Sequence, residues 1–259
     1  MIRVAALRKL YGSFTAVEDL SFDVQAGEVL GLVGPNGAGK TTTLRALSGI
    51  INPTSGTVAI AGHDLRSDPV GAKQALAFIP DEPHLFEYLT TEEHLRFVAR
   101  LYGVRDADVR IPALLDELEL GDKRRELPAA LSRGMKQKLA IACGLLHEPS
   151  VLMLDEPLTG LDPGGMRRMR ATITARARAG AAVILSSHLL HLVEELCTKL
   201  LVMRRGRCVE YGTLPEIMLR HPDLAGCSLE DVFLSLTGDS AALPTAGGDS
   251  VPPGAAILP

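Results

Sequence analysis

The sequence predicts an α/β fold, a mostly parallel and buried sheet preceded by a strand-rich opening and interrupted by a helical insert. Three observations predict it. Between residues 151 and 204 short apolar runs alternate with helical patterns, as strands covered on both faces by helices require. Up to about residue 90 the chain reads instead as short strands with turns. At Thr90 the apolar period becomes helical, which marks an insert over about residues 84–150.

Taken in order, residues 2–7, 14–24, 28–33, 57–61 and 76–80 read as strands, punctuated by Gly27, Gly34, Pro53, Gly56 and Gly62. Thr90-Thr91-Glu92-Glu93 is a capping box, followed by Leu95, Val98, Leu101 and Tyr102 at helical spacing. A second helix is expected to open near Pro112, turning Leu114, Leu115 and Leu118 inward. A third is expected over 132–147. Strands at 151–155, 182–186 and 200–204 then alternate with helices at 163–179 and 188–196. Residues 237–259 hold four Gly, four Pro and two charges. They bury too little apolar surface to offset ordering entropy, so a disordered tail is expected after one domain spanning 1–236.

Composition narrows the class. Of 259 residues, 46% are hydrophobic and 22% charged, with 27 Lys and Arg against 31 Asp and Glu, a net charge of −4. That balance argues against non-specific nucleic-acid binding, so no nucleic-acid partner is expected. The cluster Arg167, Arg168, Arg170, Arg176 and Arg178 reads as a solvated helix face rather than a phosphate-binding stripe. One of the longest apolar runs, 139–146, has eight residues, far short of the ~18 of a membrane span. Arg3, Arg8 and Lys9 stand where a signal peptide needs an apolar stretch, so a cytoplasmic chain is expected. Cys143, Cys197, Cys208 and Cys227 form no C-x-x-C pair, which excludes a disulfide framework and disfavours structural zinc.

Gly34-Pro35-Asn36-Gly37-Ala38-Gly39-Lys40-Thr41 matches G-x-x-x-x-G-K-[ST] in full, between the strand at 29–33 and a helix expected over 42–48, opened by Thr42. Glycines let backbone N–H groups converge on an anion, and the helix N-terminus adds partial positive charge. Lys40 should reach the β- and γ-phosphates of a nucleoside triphosphate, with the Thr41 hydroxyl on Mg²⁺. The apolar run at 151–154 ends in Asp155 and Glu156. Asp155 is placed to hold Mg²⁺ through its water shell, and Glu156 to orient and deprotonate the attacking water.

With these two elements the sequence resembles the ATP-binding subunits of ABC transporters over almost its whole length. Leu131-Ser132-Arg133-Gly134-Met135 is similar to the family's signature, Leu161-Asp162 to its D-loop, and Ser186-Ser187-His188 to its switch histidine. Tyr11 is placed like the aromatic that stacks on adenine. The resemblance implies a RecA-like P-loop NTPase core with an antiparallel β subdomain and an inserted helical subdomain, and the cofactors ATP and Mg²⁺. It implies a head-to-tail dimer in which ATP is clamped between one copy's phosphate loop and the other's signature through Ser132 and Gly134. His188 would then donate to the γ-phosphate, and Asp162 would couple the two sites. Transmembrane permease subunits are the implied partners, at the cytoplasmic face of a bacterial membrane. Because both half-sites look competent in this one chain, a homodimer is expected.

Two motifs depart from the family pattern. Arg133 and Met135 flank the retained Ser132 and Gly134 in place of Gly and Gln. Asp81 stands where the family places Gln, and is either a Mg²⁺ ligand or a loop carboxylate. His188, His191 and Glu194 lie three apart, which also fits a metal-ligand stripe, although the Ser-Ser-His context favours the switch role. The apolar residues in Glu82-Pro83-His84-Leu85-Phe86-Glu87-Tyr88-Leu89 suit either a docking surface for the membrane subunits or packing onto the insert. The 80–83 loop, the signature and the ending at 229–234 look most like bacterial exporters of drugs, antibiotics, peptides or lipids. The competing class is a soluble ABC ATPase acting on ribosomes, DNA or cluster assembly. A single phosphate loop and the absence of a heptad run weigh against it.

Overall fold

Strand alternation sets the layers of this molecule. The computed structural model describes residues 1–224 and 226–238. β1 (Ile2–Tyr11) and β2 (Phe14–Val24) form a long antiparallel hairpin, extended by β4 (Ser55–Ile60) and β5 (His63–Asp64) in the order β2-β1-β4-β5. The second sheet runs β10-β9-β3-β8-β7-β6. In it β3 (Val29–Val33), β6 (Leu76–Ile79), β7 (Val151–Asp155), β8 (Ala182–Ser186) and β9 (Lys199–Arg204) are parallel, and β10 (Arg207–Gly212) returns antiparallel at the edge.

Every residue of β3, β7 and β8 is buried, as a strand covered on both faces must be. Because successive side chains point to opposite faces, Leu30, Leu32, Val151, Met153 and Ile184 join the antiparallel sheet and α1 (Lys40–Leu47) in one core. Leu152, Leu154, Val183 and Leu185 instead meet α3 (Thr91–Tyr102), α4 (Ala107–Glu117), α5 (Arg133–Leu145) and α6 (Pro163–Arg178) on the other face. A smaller core packs Val33, Leu200 and Val202 under α7 (Leu190–Leu196), α8 (Leu214–Arg220) and α9 (Leu229–Thr237). The short α2 (Pro69–Gln74) precedes β6. Among the described residues no helix is long and apolar enough to cross a membrane.

The capping box at Thr90 forms as expected: Glu93 N–H donates to Thr90 Oγ1 and Thr90 N–H to Glu93 Oε2. Several boundaries differ from the sequence reading; β1, for one, runs to Tyr11 rather than Leu7. α1 already begins at Lys40, the residue after the left-handed Gly39. α4 starts at Ala107, five residues before Pro112, because the Asp106 carbonyl accepts from both Val109 and Arg110 and nucleates the turn earlier. Pro112 sits inside the helix and forfeits one backbone bond. α7 starts at Leu190, because Leu189 stands at φ −88°, ψ 82°, outside the helical region, and its carbonyl is the first to accept a helical bond, from Val193; the N–H groups of His188 and Leu189 go to Glu156 and Ser187 Oγ. α9 runs to Thr237, one residue into the expected tail, and is closed by Gly238 at φ 66°. From residue 239 that tail lies outside the described residues. On α6, Arg168, Arg170 and Arg176 pair with Glu119, Glu195 and Glu117, in keeping with an ion-paired solvent face.

Candidate active site

The chemistry gathers at the carboxyl ends of the parallel strands, where open α/β sheets bind ligands. β3 runs into the glycine loop, β6 into Pro80-Asp81, β7 ends in Asp155 and β8 in Ser186. Asn36, Gly37, Ala38, Gly39, Lys40, Thr41, Thr42, Asp81, Asp155 and Glu156 line one cavity of about 360 Å³, together with Phe14 and Ala16 from β2. Gly34 and Pro35 stand behind it, their carbonyls accepting from Lys40 Nζ at 2.6 and 3.3 Å. Gly39 is at φ 104°, and a Cβ there would lie 2.6 Å from the Ala16 carbonyl oxygen, so only glycine fits. As N-cap of α1 it offers no side-chain cap, which leaves the first-turn N–H groups open to an anion. Burial pushes the Lys40 ammonium below its ordinary pKa, and the charges of Glu156 and Asp155 partly restore it.

Asp155 and Ser186 are register partners on adjacent strands. Ser186 Oγ, fully buried, donates to Asp155 Oδ1 at 2.5 Å. The next residue, Glu156, has φ 50°, a left-handed conformation strained for a residue with a long side chain. Its N–H donates to the Ser186 carbonyl at 3.1 Å and to Ser186 Oγ at 3.2 Å, which holds that conformation. Its carboxylate accepts from His188 N–H at 3.3 Å and meets His188 Nδ1 at 2.8 Å. Burial raises the Glu156 pKa against the opposing pull of His188 and Lys40. A raised carboxylate is the stronger base toward water.

Three carboxylates face the cavity against the single ammonium of Lys40, a balance that would repel a triphosphate without a cation. Thr41 and Asp155 supply hard oxygens, and Mg²⁺ needs only one or two protein ligands beside phosphates and water. The residues therefore fit Mg²⁺. Asp81, the third expected ligand, points to Arg133, whose Nη2 lies 3.3 Å away. Among the described residues no three His, Cys, Asp or Glu side chains converge on a metal-sized site. The alternative stripe of His188, His191 and Glu194 is therefore not assembled, and His188 is turned to Glu156.

Other expected site residues lie elsewhere. Tyr11 ends β1 directly opposite Phe14, half exposed, with the Lys9 ammonium 4.9 Å above its ring; Phe14 is the aromatic on the cavity wall. Ser132 caps α5, its Oγ accepting from Met135 N–H at 3.3 Å. Gly134 lies so near Gly160 that a Cβ would stand 2.7 Å from the Gly160 carbonyl oxygen. Asp162 caps α6 through Gly165 N–H at 3.2 Å. None of Ser132, Gly134 and Asp162 lines the phosphate cavity. Sequence reasoning missed Phe14, the Ser186 hydroxyl and the Arg133–Asp81 pair. Ser186 had a signal, since like Asp155 it is a polar residue ending an apolar strand.

Beside the Asp81 loop a second, apolar cavity of about 600 Å³ lies between that loop, α3 and α5. Phe86 and Phe97, both exposed, meet edge to face at 5.3 Å on its wall. Leu85 packs into the core while Tyr88 is 88% exposed, so the 82–89 segment divides between packing and an open surface.

A strand, glycine loop and helix, with a buried acid ending the next strand but one, make this a nucleotide site of the phosphate-loop NTPase class. Comparison with known proteins narrows it. The ABC transporter family pattern matches residues 17–159. The ATP-binding protein EcsA of Bacillus subtilis, an ABC-type transporter component, is 33% identical over 241 residues, covering 91% of this chain and 97% of that one. The Nod factor export ATP-binding protein I of Ralstonia nicotianae is 35% identical over 235 residues, 90% of this chain and 72% of that one. A solved ATP-binding subunit of an ABC transporter superposes with a TM-score of 0.87 at 37% identity, covering 91% and 99% of the two chains. The chain belongs to the ABC transporter family, as one of its ATP-binding, ATP-hydrolysing subunits.

Proposed function

We propose that the chain works as a homodimer at the cytoplasmic face of a bacterial membrane and powers export through separate transmembrane subunits. The observation that carries this reading is the separation of two half-sites in one chain: the phosphate cavity is lined without Ser132, Gly134 or Asp162. A second copy, placed head to tail, would bring its 132–134 turn to the nucleotide of the first. The free N–H groups of α1 and the Lys40 ammonium hold the β- and γ-phosphates. Thr41, and Asp155 through the metal's water shell, would hold Mg²⁺, which would neutralise phosphate charge.

Glu156 takes a proton from a water whose oxygen attacks the γ-phosphorus. The bond from that phosphorus to the β–γ bridging oxygen breaks, and ADP and phosphate leave. His188 bonds the Glu156 carboxylate through Nδ1, and with a proton on both ring nitrogens it donates from Nε2 to the γ-phosphate. Tyr11, at the hairpin tip beside Phe14, stacks on the adenine. Closing on ATP and opening after hydrolysis supply the stroke.

The apolar cavity beside Asp81 receives a cytoplasmic helix of the membrane subunit. The role of the Ralstonia relative in Nod factor export supports outward transport. The test is to tag the chain in its native host, solubilise membranes gently and identify what co-purifies in an ATP-sensitive way. A polytopic membrane protein is expected; recovery only with ribosomes or DNA-repair proteins would overturn the transport reading.

A further inference from the structure

Two of the positions at which this chain departs from the family pattern, 52 residues apart, meet in space: Arg133 Nη2 lies 3.3 Å from Asp81 Oδ1. Asp81 lines the nucleotide cavity, and Arg133 opens α5 in the turn that presents Ser132 and Gly134. The Arg133 stem also covers Gly160, where a Cβ would stand 3.3 Å from Arg133 Cδ. One side chain thus touches the cavity wall, the signature turn and the turn before Asp162. Its side chain is 58% exposed and that of Asp81 42%, so the pair is weak and reversible, suited to a switch rather than a staple.

We propose that Arg133 is a positioning residue that ties the 132–134 turn to the cavity wall until Mg²⁺-bound nucleotide arrives. Asp81 then gives up the guanidinium for the divalent cation, the stronger local charge, and the turn is released toward the second copy. This rests on the nucleotide reading above and adds to it a link, within one chain, between phosphate-loop occupancy and the signature turn.

The test is equilibrium ATP binding by the Glu156→Gln protein, kept dilute so that it stays monomeric, with Mg²⁺ and with the metal chelated. Arg133→Met keeps the stem and removes the charge. It should tighten Mg²⁺-ATP binding about two- to fivefold, the size expected of an exposed ion pair, and leave metal-free ATP binding unchanged. In the Asp81→Asn background the same change should do nothing, and Arg133→Lys should behave like its parent. An Arg133→Met effect of equal size without Mg²⁺, or one that persists with Asp81→Asn, would overturn the proposal. A Glu156→Gln parent that binds no ATP at all would instead sink the nucleotide reading beneath it.

Discussion

Replacing Ser186 by Ala isolates one hydroxyl at the centre of the site. Ser186 is fully buried and Asp155 is 3% exposed, so water cannot take the hydroxyl's place. The substitution removes the bond to the Asp155 carboxylate at 2.5 Å. The Glu156 N–H keeps its bond to the Ser186 carbonyl at 3.1 Å and gives up only the longer one to Oγ. A hydrogen bond to a charged group contributes about 1.5–3 kcal/mol, and the removal of one oxygen leaves little cavity, so a destabilisation of about 2 kcal/mol is expected. Urea unfolding measures it as a lower midpoint at unchanged slope. In an Asp155→Asn background the cost should shrink, because the charged acceptor is gone. A cost under about 0.5 kcal/mol, or the same cost with Asp155→Asn, would refute this reasoning. Turnover should fall as well, since the hydroxyl aims Asp155 and helps hold Glu156 in its left-handed conformation.

Lys40→Ala should weaken ATP binding by at least about tenfold, because it removes a charge-assisted hydrogen bond to phosphate; isothermal titration with unchanged affinity would contradict the phosphate-loop assignment. Glu156→Gln should melt higher than its parent at neutral pH. Burial raises the native Glu156 pKa, so the stability carried by its neutral form is present below the unfolded carboxylate pKa and is lost as pH rises through the native one. The gap should close on acidification, and a pH-independent gap in melting scans would refute it. Glu92 is held down to about 2 by Arg124 and then Arg96. Its contribution is present above the ordinary carboxylate range and lost as pH falls toward that value. Both arginines are over 40% exposed, so Glu92→Gln should cost only about 1 kcal/mol at neutral pH. Near pH 2 it should cost nothing, as acid-range unfolding curves would record.

The phosphate loop and β3, β7 and β8 are legible in the sequence because each is a local pattern: consecutive apolar residues, then a glycine run or a carboxylate. What escapes a sequence reading depends on distant segments meeting in the fold. The Ser186 hydroxyl matters only because the strand order places β8 between β3 and β7 and pairs Ser186 with Asp155. Arg133 reads as a flanking substitution until Asp81, 52 residues away, is seen within reach. Local pattern misplaces the start of α7 because bonds from His188 N–H to Glu156 and from Leu189 N–H to Ser187 Oγ hold the 187–189 turn with Leu189 outside the helical region, a tertiary demand that outweighs local propensity. Pro112 reads as a helix start by its fixed φ, but the Asp106 carbonyl has already closed a turn.

The central claim is that the chain carries two half-sites made whole only by a second copy. Sedimentation of Glu156→Gln with saturating Mg²⁺-ATP tests it most directly. A dimer holding one unhydrolysed ATP per chain, reverting to monomer when nucleotide is removed, is the predicted result. A protein that binds ATP at full occupancy yet stays monomeric at every concentration would contradict the account.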